Sequence, residues 1–458
     1  MAEHNFDVVI LGGGSGGYAT ALRSAQLGLN VALIERDKLG GTCLHRGCIP
    51  TKALLHSAEM ADVTREAGNY GIQATFQGVD MTAVNKYRDG IIDRLFKGLT
   101  GLVASKPITV VAGEGRMVGP KTIAVGADTY TGKNIVLATG SYSRTLPGLE
   151  IQGRVMTSEL ALQLDFVPSK VIVLGGGVIG VEFASIWKSL GADVTIIEGL
   201  PTLVPNEDPA VSKALERAFR KRGINFKTGV RFSGVQQSAT GVVATLENGE
   251  SFDAEIMLVA VGRGPNTAGF GYEENGIKMD RGWVLTNERL ETSVPGVYAA
   301  GDIVPGLQLA HRGFQQGIFI AEEIAGLRPV AIDELGIPKV TYCEPEIASV
   351  GMSESKAAEA YGADNISVYE YNLGGNGKSQ ILGTAGFIKL IRKNNGPVVG
   401  VHMIGSRVGE QIGEAQLIVN WEAYPEDVAT LVHAHPTQNE ALGEAHLALA
   451  GKPLHAHA

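Results

Sequence analysis

Cysteine is scarce in this 458-residue chain. Three thiols are too few for the disulfide framework that holds small secreted domains together. Positive charge is also in deficit, with 39 Lys and Arg against 48 Asp and Glu and a net charge of -9. That balance argues against a nucleic-acid partner, because phosphate binding needs a basic surface; a basic partner protein would fit better. Long apolar runs are absent, each being broken by Gly or charge, so no membrane partner is expected. The start, Met1 to Asp7, is acidic and leads straight into an apolar strand. It has neither the basic and apolar regions of a signal peptide nor the Arg-rich pattern of a transit peptide. These readings place the protein in the cytoplasm, where a close thiol pair is more often catalytic than structural.

Glycine, by contrast, is abundant at 61 residues. The length exceeds one hydrophobic core, so several domains are expected, and an internal repeat reveals two of them. The run Val8-Val9-Ile10-Leu11-Gly12-Gly13-Gly14-Ser15-Gly16-Gly17 recurs as Val171-Ile172-Val173-Leu174-Gly175-Gly176-Gly177-Val178-Ile179-Gly180, a constant offset of 163. Each copy continues to a second strand ending in an acid, Val31 to Glu35 and Val194 to Glu198. Strand, glycine turn, helix, strand is the βαβ dinucleotide unit, and two copies imply two nucleotide cofactors. Residues 51–104 are predicted mostly helical and residues 108–140 β-rich. A helix is predicted from about Ala310 to Ala325. From about Ile337 a last domain alternates strands with helices, and its tail from Pro453 to Ala458 is expected to be disordered. The fold class is therefore α/β: two Rossmann-like dinucleotide-binding domains, a central segment and an α+β C-terminal domain.

In the first fingerprint Gly12 serves the tight turn, Gly14 close backbone approach and Gly17 helix–strand packing, with a pyrophosphate resting on the helix N-terminus. Such glycines also serve plain strand–helix corners, but here strand, helix and acid are all in place. Glu35 can accept a hydrogen bond from a ribose hydroxyl. Gly175, Gly177, Gly180 and Glu198 repeat the set. A carboxylate at 198 suits an unphosphorylated 2'-hydroxyl and repels a 2'-phosphate, and no arginine follows before Arg217, so NAD is favoured over NADP. Cys43 lies eight residues beyond Glu35 and is separated from Cys48 by four. A pair that close can cycle between dithiol and disulfide, which assigns FAD to the first unit as the electron relay. Zinc on Cys43, His45 and Cys48 is an alternative, but a structural site needs a fourth ligand and the spacing matches no common finger. An idle pair is another, and Cys343 reads as a small core residue.

Thiol chemistry needs a base. In His433-Ala434-His435-Pro436-Thr437-Gln438-Asn439-Glu440, Glu440 can hold the tautomer of His435. His433 competes for that role, and a histidine before proline also serves plain turn chemistry. The motif and the cysteines lie near opposite termini, so pairing them requires the tertiary or quaternary fold. Asp302, at a strand end, can bind a cofactor hydroxyl or simply form a turn. The helix starting near Ala310 can aim its positive end at a flavin pyrimidine. Lys52 and Glu182 are either a charge pair between the two cofactors or two solvated side chains.

Gly40 to Lys52 and His433 to Glu440, with Ala138-Thr139-Gly140, Gly301-Asp302 and Val340 to Gly351, together resemble the dihydrolipoamide dehydrogenase family of FAD-dependent pyridine nucleotide-disulfide oxidoreductases, from about Phe6 to Leu454. The resemblance implies an FAD-binding domain over 1–147, an NAD-binding domain over 148–270, a central domain completing the FAD site over 271–336 and a dimerisation domain over 337–458. It implies that Cys43 exchanges with lipoamide and Cys48 faces the flavin. His435 would be the base and Glu440 its orienting acid, supplied across a homodimer. Lys52, Thr139, Gly140, Asp302 and Ala310 join the FAD residues, and Glu182 and Gly262 join the NAD residues. The implied reaction is oxidation of protein-bound dihydrolipoamide with reduction of NAD, and the implied partners are lipoyl domains and acyltransferase or glycine-cleavage components. Leu44-His45-Arg46, Thr51 and Gln316 depart from the family pattern but leave the catalytic pairs intact. Two rivals remain: a reductase of another disulfide, such as mycothiol or glutathione disulfide, and a non-catalytic protein that holds FAD within an assembly.

Overall fold

One parallel unit, used twice, organises the first part of the chain. In the computed structural model, which describes residues 2–455, β1 (Glu3–Leu11) leads through a glycine turn into α1 (Ser15–Gln26) and back to β2 (Val31–Glu35). Val8, Val9 and Ile10 are wholly buried, as expected of parallel strands covered on both faces, which read as continuous apolar runs. The turn admits only glycine at its closest approaches. A Cβ on Gly12 (φ +105) would lie 2.2 Å from the Ala138 carbonyl oxygen, and one on Gly17 would lie 1.7 Å from that of Gly12. The second unit repeats the register as well as the sequence. Val8 pairs with Val31 and, 163 positions on, Val171 pairs with Val194.

Between the units, α2 (Gly41–Arg46), α3 (Cys48–Glu66) and α4 (Met81–Ala104) precede β3 (Ile108–Ala112), β4 (Gly115–Gly119), β5 (Thr122–Val125) and β6 (Asp128–Leu137). Among the described residues the first sheet has seven strands in the order β3-β2-β1-β6-β5-β4, and the seventh, Val297–Ala299, pairs in parallel with β6. The segment after residue 271 thus returns to the first unit, and its helix Ala310–Ile324 lies against α1, where a Cβ on Gly317 would meet the Gly16 carbonyl oxygen at 2.4 Å. The second sheet has five parallel strands. A two-stranded ribbon, Ser141–Ser143 with Arg263–Pro265, links the two units.

The C-terminal sheet is antiparallel, in the order 339–341, 346–351, 398–405, 387–393, 366–372. Helices Val408–Asn420 and Glu440–Leu449 cover it through Ile412, Ala415, Leu442 and Ala445 against Val350, Leu390 and Met403. The position of α3 matters most for function. Its Leu54, Ala58 and Ala61 share one core with Phe183 and Trp187 of the second unit and with Cys343 and Phe387 of the C-terminal domain. Three bodies therefore fix that helix. The tail, expected to be disordered, is described as far as His455, which bonds Glu444 through its N–H (3.0 Å) and Nδ1 (2.9 Å); residues 456–458 lie outside the described residues. No helix of the described residues is long and apolar enough to cross a membrane.

A buried charge clamp joins the second unit to the C-terminal sheet. Lys389 Nζ bonds Asp208 Oδ1 at 2.8 Å and Glu354 Oε2 at 2.7 Å, with Asp208 wholly buried at the cap of helix Pro209–Arg222. Breaking such a pair from one side leaves an uncompensated charge, which costs about 3–5 kcal/mol. Lys389→Met is therefore expected to lower the thermal midpoint by several degrees, and adding Asp208→Asn should recover part of the loss. Calorimetry showing no change in Lys389→Met would exclude the clamp as a source of stability.

Candidate active site

Cys43 lies on the six-residue α2, and Cys48 opens α3 after Gly47. Both are of intermediate exposure, and each is the largest influence on the other's acidity. The bend between the helices is fixed locally: the Thr51 hydroxyl and N–H both donate to the Gly47 carbonyl, at 2.7 and 3.1 Å. Pro50 is tolerated in the first turn because no intrahelical acceptor awaits an N–H there. The two sulfurs differ sharply in acidity. A hydrogen bond from the Cys43 thiol lowers Cys48 to about 7; desolvation opposes this and the Lys52 ammonium assists it. The same hydrogen bond, with burial, pushes Cys43 upward. The Cys48 N–H adds a backbone donor, and the positive end of a 19-residue helix lies behind it. In the reduced pair Cys48 is therefore the more acidic sulfur and Cys43 the less acidic.

Lys52, one turn into α3, reaches the second unit. Its Nζ bonds both carboxylate oxygens of Glu182 at 3.0 and 2.9 Å and lies 4.7 Å from the centre of the Tyr342 ring. Glu182 is buried and its Oε1 also accepts the Tyr342 N–H at 2.9 Å. Burial alone would lower the lysine's pKa, but Glu182 outweighs it and the net shift is upward. Lys52 stays charged beside the sulfurs. Two solvated side chains, the bland reading of this pair, do not describe it.

The glycine turns fit dinucleotides. Nothing lies within 4 Å of a Cβ built on Gly177, and only the Gly41 Cα, at 4.0 Å, approaches one on Gly14; a larger residue would fill that space. Neither following helix is capped by a side chain, which leaves N–H groups for a diphosphate. Glu35 accepts the N–H groups of Gly13 (2.6 Å) and Asp37 (2.8 Å), and Glu198 those of Gly176 (2.6 Å) and Leu200 (2.7 Å). Each carboxylate keeps acceptor sites for a ribose hydroxyl. Asp302 accepts the Ser141 hydroxyl at 2.6 Å, and Arg263 Nε donates to that hydroxyl at 2.7 Å. Thr139 and Gly140 are stitched to Asn266: the Thr139 hydroxyl donates to its carbonyl at 2.6 Å, and its N–H donates to Gly140 O at 2.8 Å. Gly262 is left-handed (φ +101) with open space around it. Ala310 begins its helix without a side-chain cap. Gln316, wholly buried, accepts the Gly301 N–H at 2.7 Å through Oε1, so the amide retains the acceptor oxygen an acid would supply.

His435 is not delivered to these sulfurs within the chain. Its side chain is 78% exposed, with Nδ1 2.7 Å from Glu440 Oε1, and the groups that shift the two cysteines are each other, Lys52 and Glu182. Burial tends to raise the Glu440 carboxyl, but the Thr437 N–H and the His435 ring hold it below the ordinary range. His433, the competing histidine, is engaged elsewhere: its side chain is 11% exposed and its Nε2 lies 2.8 Å from Glu414. His45, required by the zinc alternative, places Nε2 2.8 Å from the Leu39 carbonyl and its ring edge-on to Phe96. Sequence reasoning gave no role to Tyr18, Ser141 and Arg263, and named Tyr342 only within the Val340 to Gly351 motif. Tyr18 is pushed up to about 12 by burial and then by the neighbouring Cys43. Three of the four adjoin motif residues already noted, but adjacency does not reveal an orientation.

Residues 6–317 match the pyridine nucleotide-disulphide oxidoreductase family, and residues 337–446 match its dimerisation domain. The chain is 40% identical to dihydrolipoyl dehydrogenase of Bacillus subtilis (strain 168), over 98% of this chain and 99% of that protein. It is 38% identical to mitochondrial dihydrolipoyl dehydrogenase of Pisum sativum, over 98% and 92%. LpdA from Mycobacterium tuberculosis superposes with a TM-score of 0.90 at 26% identity, covering 97% of this chain and 99% of that one.

The acidity of Cys48 is testable. Alkylation of the two-electron-reduced protein by iodoacetamide should follow an apparent pKa below the ordinary thiol value. In the double variant Lys52→Met with Glu182→Gln, which leaves no buried carboxylate unpaired, it should rise toward the ordinary thiol value of about 8.5. A pH profile identical to that of the parent protein would show that the Lys52–Glu182 pair has no net effect on this thiol.

Proposed function

The chain belongs to the pyridine nucleotide-disulphide oxidoreductases, and we propose from that premise that it is a dihydrolipoyl dehydrogenase. It oxidises protein-bound dihydrolipoamide to lipoamide with reduction of NAD. The observation that carries the reading is the Cys43–Cys48 pair at the head of α3, with the Lys52–Glu182 bridge beside it. The full-length likeness to dihydrolipoyl dehydrogenases supports the substrate.

In the oxidised protein the two sulfurs form a disulfide. One thiol of dihydrolipoamide, deprotonated by His435, attacks Cys43 Sγ, and Cys48 leaves as the thiolate its surroundings favour. The second thiol then attacks its partner sulfur in that mixed disulfide. Lipoamide leaves oxidised, Cys43 departs with the proton of that second thiol, and His435 keeps the proton of the first until it passes it to solvent. When bound, FAD supplies the two-electron relay between this dithiol and the nicotinamide. Glu440 holds the His435 ring by Nδ1, which keeps Nε2 directed outward as the proton acceptor. The dimerisation-domain match supports a homodimer, and the exposure of His435 is the reason for assigning it to the cysteines of the second subunit. Lipoyl domains of 2-oxoacid or glycine-cleavage complexes are the proposed partners, and the cytoplasm the proposed location.

Two outcomes test the reading. His435→Gln should depress lipoamide turnover by about 10²- to 10⁴-fold, the usual contribution of a general base, while reduction of the protein by NADH in rapid mixing stays near normal. Equal suppression of both half-reactions would remove His435 as the base. Glu198 should make kcat/KM with NADH exceed that with NADPH by roughly 100-fold or more, since like charges brought together cost several kcal/mol, and Glu198→Ala should narrow the gap. A preference for NADPH, or for glutathione or mycothiol disulfide over lipoamide, would overturn the assignment.

A further inference from the structure

The loop that carries His435 leaves the body of the subunit. Leu431 is 59% exposed, Val432 98% and the His435 side chain 78%. A base on such a loop is useful only if its position is fixed to within a fraction of an ångström, and its own subunit offers it little apolar packing there. Polar anchors hold it instead. Asn376 Nδ2 donates to the Thr437 carbonyl at 3.0 Å. Glu440 accepts the Thr437 N–H at 2.7 Å and orients the ring itself.

One further side chain bonds residues on both sides of His435. Glu414, on helix Val408–Asn420 against the C-terminal sheet, places Oε1 2.8 Å from His433 Nε2, two residues before the base. Its Oε2 accepts a hydrogen bond from Asn439 Nδ2, four residues after the base and next to Glu440. The His433 ring is seated tightly: a Cβ on Gly443 of the following helix would lie 2.5 Å from its Nδ1. Glu414 remains ionised, because His433 and Asn439 offset the upward push of burial and hold its carboxyl below the ordinary range. Neither Glu414 nor His433 is among the groups that shift the two cysteines.

We propose that Glu414 is a positioning residue for the disulfide exchange: one carboxylate, bonded to His433 and Asn439, clamps both ends of the loop and so sets where the His435–Glu440 pair is presented. His433 is then the clamp's upper arm rather than a second base. The inference rests on the proposed role of His435, and the test separates the two.

Glu414→Gln, Glu414→Asp, His435→Gln and the double variant Glu414→Gln/His435→Gln are compared as FAD-loaded dimers by rapid mixing. Glu414→Gln should slow the lipoamide half-reaction about tenfold and leave reduction by NADH unchanged, and Glu414→Asp should recover part of the rate. In the His435→Gln background, Glu414→Gln should cost nothing more, because a residue that acts through another adds no loss once that other is gone. Losses that multiply in the double variant, or that fall equally on both half-reactions, would show a merely structural role and overturn the proposal. A normal lipoamide rate in Glu414→Gln beside a crippled His435→Gln would overturn the clamp alone. A normal rate in His435→Gln would overturn both. Should Glu414→Gln fail to fold, Asn439→Ala removes one arm and supports the same comparisons.

Discussion

A lysine ammonium sits between a cysteine sulfur and a carboxylate that comes from the other nucleotide unit. Lys52 stands one helical turn from Cys48, and Glu182 meets it from helix Val178–Leu190. In water such a pair would contribute little, but here the acid is buried and additionally bonded by the Tyr342 N–H, so removing either charge leaves the other costly. The pair does two things at once. It keeps a cation where a thiolate must form, and it locks α3 of the first unit onto the second unit. The chemistry of the sulfurs and the relative placement of the two nucleotide turns therefore depend on one contact.

Duplication explains why that contact suffices. Both units place an acid two residues from a backbone N–H that it bonds, and both bind the turn amide with the other oxygen. The two copies diverge immediately downstream of the acid. After Glu35 the chain makes α2 and the redox pair; after Glu198 it runs through Gly199, Leu200 and Pro201 toward a surface helix. The same scaffold thus serves as a redox centre in one copy and as a plain nucleotide site in the other. The segment around Asp302 is held against the first unit by its own strand in the first sheet and by Gly317 on α1, so its carboxylate comes from a rigid element although it is remote in sequence from the turn.

The sequence made legible whatever depends on neighbours along the chain. The fingerprints, their constant offset, the thiol pair and the His435–Glu440 spacing are local patterns that can be read without knowing the tertiary fold. Contacts that join distant elements were harder to read. Lys52 and Glu182 left two readings open, because side chains 130 positions apart meet only if α3 crosses onto the second unit, and nothing in either segment specifies that crossing. Val297–Ala299 is too short to show that it completes a sheet begun at residue 3. Glu414 gave no signal at all: on an amphipathic helix a glutamate reads as solvated until the loop that needs it is folded beside it. Within the tail, His455 meets Glu444 of the preceding helix, a contact the sequence did not suggest.

The two halves of the proposed site meet opposite demands. Cys48 opens a helix fixed by three bodies and Cys43 lies on the short helix before it, whereas the base rides on an open loop whose precision comes from a few hydrogen bonds. A dithiol must hold still, because its acidity is set first by the contact between its two sulfurs and then by the Lys52 ammonium, and a hydrogen bond weakens steeply with misalignment. A base that serves a second subunit must instead project beyond its own domain to be reached. An apolar loop would satisfy the projection and lose the aim; a loop buried in its own subunit would keep the aim and lose the projection. Carboxylates at Glu414 and Glu440, bonded to histidines and to an amide, satisfy both demands, because hydrogen bonds fix direction without requiring the loop to be covered.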